Sequence, residues 1–226
     1  PVGTGTLVLG ADTKLGVAVG TGATTLHNSI DLESSSSYDR QIVDTTNGNL
    51  TLLGTISGSG GLNKIGTGSL TLGAPLALSG GDLTGTGTLT ANGGAALTGN
   101  VSLHGGQTLT LAGNSTWSAG TLYAGTGATL NNSGTFTTTA NTSFYNYYGG
   151  TKLTFNNSGT FTKSTATGDT ALDATVNNSG TINVTSGSVS IGGGGTSTGT
   201  INVSSGATFA LTGGSFTFDN GSLVNG

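Results

Sequence analysis

Few residues of this chain can do chemistry. Nine carboxylates, five basic residues and two histidines are spread over 226 positions, and cysteine and methionine are absent. Disulfides, thiolate nucleophiles and thiolate-bound metals are therefore excluded. The densest cluster lies at 27–47, where His27, Asp31, Glu33, Tyr38, Asp39, Arg40 and Asp44 accompany the run Ser34 to Ser37. Asp31 and Glu33 stand two apart and can share one side of a strand, with Asp39 and Asp44 close behind. Such a set suits Ca²⁺ ligation or acid–base work. A polysaccharide-active enzyme would need a basic residue beside an acid in one groove, and only Arg40 offers one here. A solvated, edge-blocking excursion is the simpler reading of the segment. His27 and His104 lack metal-ligand spacing, and no Gly-x-Ser-x-Gly elbow occurs. Gly192 to Gly195 precede neither a helix pattern nor the Lys-Ser/Thr of a phosphate cradle, so they read as a corner. The expectation is a chain with no catalytic residue, no metal and no cofactor.

The aromatic set Trp117, Tyr123, Tyr145, Tyr147 and Tyr148 is more promising for binding. Exposed planar rings stack on sugar faces or fill a partner's groove. Residues Phe144 to Gly149 read as a protruding aromatic loop near 140–150, a candidate glycan or receptor contact; the competing reading folds the loop back on the body with nothing bound. Thr-x-Thr triplets such as Thr84/Thr86/Thr88/Thr90, Thr108/Thr110 and Thr135/Thr137/Thr139 raise an ice-binding alternative. Their uneven spacing argues against a regular hydroxyl array.

The backbone that must hold these groups is built of small residues. Gly and Thr each fill 44 positions, and charged residues make up 6% against about 25% in ordinary globular domains. Gly, Thr, Ser and Asn disfavour helix interiors, and Thr favours strands. With net charge −4, the chain lacks the basic footprint that a nucleic acid or anionic membrane requires. It also lacks a run of 18 apolar residues able to span a membrane as a helix.

Apolar-x-apolar pairs recur throughout, among them Leu7/Leu9, Val17/Val19, Leu50/Leu52, Leu70/Leu72, Leu76/Leu78, Val101/Leu103, Leu109/Leu111, Ile182/Val184, Val189/Ile191 and Ile201/Val203. A period of two means strands, and the Gly, Asn and Ser between them mark sharp corners. Strand starts fall too close together for a sandwich. The phrase Asn-Asn-Ser-Gly-Thr-Phe/Ile begins at 131, 156 and 177, with a degenerate copy at 196, giving intervals of 25, 21 and 19. One such interval is three strands and three corners. The expected architecture is all-β: a single-stranded parallel β-helix (β-solenoid) of about ten three-sided rungs over 1–226, with an irregular excursion at 27–47. At about 4.8 Å per rung it would be about 50 Å long. Inward pairs would form aliphatic and Phe stacks, and Asn-rich corners would stack amide on amide.

Gly61-Leu62-Asn63-Lys64-Ile65-Gly66-Thr67-Gly68-Ser69-Leu70-Thr71-Leu72 resembles the autotransporter-associated β-strand repeat, whose pattern is Gly-Leu-x-Lys-x-Gly-x-Gly-x-Leu-x-Leu. The match covers about 20 residues with the preceding Leu50 to Gly60; elsewhere the chain is similar to passenger domains and filamentous adhesins only in its Gly/Thr/Asn-rich style. The resemblance implies a right-handed β-helix, secreted or displayed at a cell surface, in an adhesive or structural role. The start at Pro1-Val2-Gly3 reads as a processed or excised segment. The strand pattern runs on to Leu223/Val224 without a cap. This suggests a homo-oligomer formed by end-to-end rung stacking, or a longer repeat.

Overall fold

The computed structural model describes residues 5–18, 22–33 and 40–226. Among them there is no helix, and thirty-one short strands make three sheets of eleven, ten and ten strands. Each sheet takes every third strand of the chain in order, and all pairings are parallel. The chain is thus a three-sided β-solenoid: each rung contributes one strand to each sheet, and ten full rungs are followed by the single strand Leu223–Asn225.

Alternation along each strand explains the winding. In the first sheet Leu7, Ile30, Ile56, Leu76 and Ala95 are aligned, and Phe136, Phe161, Ile182 and Ile201 continue the file after Ser115. In the third sheet Leu50, Leu70, Leu89, Leu109, Leu130, Phe155 and Val176 form another file. Apart from Leu7, which is half-buried, these side chains are buried, and all merge into one continuous core. A rung alone has nothing above or below to cover its apolar pair, so neighbouring turns must supply the burial. Corners are tight. Gly94, at φ 82°, passes so close to the next rung that a Cβ would stand 1.9 Å from the Asn114 carbonyl oxygen.

Several expectations change with the geometry. The segment 27–47 is not an excursion throughout: Ile30–Leu32 and Arg40–Asp44 are strands of the second rung, paired in register above and below. Val19, Ser34 to Ser37, Tyr38, Asp39 and the Arg40 side chain lie outside the described residues. Asp31 and Asp44 do not converge, because Asp31 belongs to the first sheet and Asp44 to the second. Asp44 instead pairs with Lys14 at 2.5 Å. That ammonium, helped by Thr46, holds the Asp44 carboxyl well below the usual carboxylate range. The stretch near 140–150 also contains a regular strand, Ser143–Tyr145, with Phe144 in the core.

Candidate functional site

The second sheet carries the aromatic site. Leu122 and Phe144 point into the core, so alternation turns their neighbours Tyr123 and Tyr145 outward, one rung apart in register. Tyr147 joins them, its ring centroid 5.3 Å from that of Tyr123 and 6.3 Å from that of Tyr145. Tyr145 is 53% and Tyr147 64% exposed. Tyr148 turns the other way. It stacks on His104 at 4.0 Å and donates its hydroxyl to Ser102 Oγ at 3.0 Å. Backbone bonds from Thr126 to Gly149 O, from Gly127 to Thr151 O and from Tyr148 to Ala124 O tie the loop down onto the rung before it.

Trp117 does not belong to this site. It ends the strand Asn114–Trp117 pointing inward, 1% exposed, with Phe136 at 6.0 Å and Phe144 at 5.2 Å. Expecting it among the exposed rings was wrong. The polar Ser115 occupies the other inward position of that strand and disguises its phase.

Beneath the tyrosines lies a cluster that one-dimensional spacing did not reveal. His104 Nε2 sits 3.6 Å from Asp82 Oδ2, and Asp82 is aligned with Ser102 across the rung. Ser102 Oγ is held by the Tyr148 hydroxyl. The imidazole therefore faces the carboxylate, and the arrangement braces the aromatic loop without presenting an activated nucleophile.

The third sheet is different in kind. Its outer column runs Thr25, Thr51, Thr71, Thr90, Thr110, Asn131, Asn156, Asn177, Thr196 and Thr217, each aligned with the next. None of its ten strands contains an ionisable residue. The intervals of 19 to 25 residues are absorbed outside the strands, so the hydroxyl column keeps its phase although the sequence spacing does not. Amides stack as expected but within strands rather than at corners, and in two files. Asn156 donates to Asn131 and Asn177 to Asn156 outside, both at 2.9 Å. Inside, Asn132 donates to Asn157 and Asn157 to Asn178, both at 2.7 Å, fully within the core.

Two buried lysines complete the inventory. Lys64 donates to Gly66 O at 2.9 Å and Thr86 O at 3.1 Å. Lys163 donates to Ala140 O at 2.5 Å and Asn141 Oδ1 at 3.2 Å. Burial pushes both ammonium groups below the ordinary lysine range, against the opposing charges of Asp44 and Asp169 respectively. Neither was singled out from the sequence. The usable signal was strand phase: with Phe161 inward, Lys163 two residues on must be inward too.

The class of protein is set by these features: a three-sided parallel β-solenoid with one aromatic face and one uncharged Thr/Asn face. No family model, curated protein or solved structure matches the chain.

Proposed function

We propose that this protein is a non-enzymatic, secreted or surface-displayed structural element that acts as a rigid spacer. The observation that supports this is the unbroken interior: ten stacked rungs share one apolar core, and each turn is held by the turns beside it. Small-angle scattering tests it. The chain is expected to scatter as a straight rod whose length follows about 4.8 Å per rung, about 50 Å in all. A near-spherical envelope contradicts the spacer.

A second reading, glycan contact through the aromatic face, is favoured by the exposed pair Tyr145 and Tyr147. Planar rings held by a braced loop lose little entropy on stacking against a sugar. On a glycan array the wild type is expected to be retained on a subset of glycans and Tyr145→Ala/Tyr147→Ala to lose that retention. Equal retention of the two proteins removes this reading.

A further inference from the structure

Lys163 ends its strand pointing inward, fully buried, between Thr138 of the rung below and Val184 of the rung above. Its amine donates to Ala140 O at 2.5 Å and to the side-chain amide of Asn141, 3.2 Å from Oδ1. A C=O bond is about 1.2 Å long, so the amide carbon lies no more than about 4.4 Å from the amine, and a side-chain shift of about 1 Å brings it to the roughly 3–3.5 Å at which reacting atoms meet. The same Oδ1 accepts the backbone N–H of Gly168 at 3.0 Å. Gly168 approaches so closely that a Cβ there would stand 2.5 Å from Asn141 Nδ2, so this contact needs glycine. Thr138, Thr142 and Thr170 close the surroundings: Thr138 Oγ1 lies 2.9 Å from Thr142 Oγ1, and Thr138 and Thr170 both donate to Ala140 O. All three are buried. The Asn141 side is open to solvent.

We propose that Lys163 and Asn141 condense into an intramolecular isopeptide cross-link, with the Gly168 N–H holding the amide oxygen and ammonia as the leaving product. The neutral amine, favoured by burial, attacks Asn141 Cγ. The new Nζ–Cγ bond displaces the C=O π pair onto Oδ1, where the Gly168 N–H stabilises the developing charge. Collapse of this intermediate breaks Cγ–Nδ2. One proton passes from Nζ to the departing nitrogen, which leaves through the open side as ammonia. A neutral lysine amine and a carboxamide thus become a secondary amide and ammonia. Nothing is oxidised or reduced, and no co-reactant is needed.

Lys64 is an internal control. It is as buried as Lys163, but its two acceptors are backbone carbonyls, whose attack would cut the chain.

Intact mass spectrometry of the folded full chain tests the proposal. The expected mass is that of the sequence less one ammonia, and fragment spectra should join the peptide containing Asn141 to the peptide containing Lys163. Asn141→Ala, at an exposed side chain, and Lys163→Arg should both show their full sequence mass. So should wild-type chain recovered and kept in denaturant without ever folding. A folded wild type at full sequence mass overturns the proposal. So does an ammonia loss that persists in Lys163→Arg, because an asparagine would then have cyclised onto its own backbone without the lysine.

Discussion

Asn157→Ala is expected to lower the unfolding free energy by about 3–5 kcal/mol, a large part of the stability of an ordinary domain. The Asn157 amide is buried in the third sheet. It accepts from Asn132 and donates to Asn178 Oδ1 and to Thr181 O at 3.0 Å. Truncation leaves two buried acceptors without this donor, and each such loss costs about 1–3 kcal/mol. A cavity adds to the penalty because the stacked rungs have little freedom to close on it. Asn156, its neighbour, makes the equivalent ladder bond on the outer face, where water can replace it. Asn156→Ala should therefore cost no more than about 1 kcal/mol. Equal denaturation midpoints for the two variants would contradict the inward file of amides.

Trp117→Ala is the second large effect, about 3–5 kcal/mol from removal of a fully buried aromatic side chain. Trp117 bridges the Phe136 and Phe144 rings and sits where the aliphatic file gives way to aromatics. It is the chain's single tryptophan, so its fluorescence reports this site alone. Native emission should be blue-shifted and protected from acrylamide, and should shift red only on global unfolding. Tyr147→Ala, at the most exposed ring, should stay within about 0.5 kcal/mol of wild type. A tryptophan quenched as readily as free indole would return Trp117 to the surface.

Much of the architecture was legible because it is written at short range. Leu70/Leu72 and Leu76/Leu78 declare inward strands by alternation alone. The repeated Asn-Asn-Ser-Gly phrases mark equivalent positions, and the rungs do align Asn131 with Asn156 and Asn177. What escaped depends on contacts one rung or more away. Asp82, Ser102, His104 and Tyr148 meet only once the register is set, and nothing in their local spacing announces it. Lys163 escaped for a different reason. A lysine in a Thr-rich stretch reads as solvated, and only the corner carbonyl of Ala140 and the amide of Asn141 make its burial tolerable. Trp117 was misplaced because Ser115 masks the inward phase of its strand. Each case turned on which face a residue occupies, and one residue of phase reverses the answer.

Pulsed dipolar electron spin resonance tests the winding most directly, since a cysteine-free chain accepts labels at chosen positions alone. With one label at Thr51 and the second in turn at Asn131, Asn177 and Thr217, the pairs are separated by four, six and eight rungs of the third sheet. At about 4.8 Å per rung the distances should rise in even steps through about 19, 29 and 38 Å. Distances that fail to grow with rung number would contradict a coil whose turns lie in register on one another.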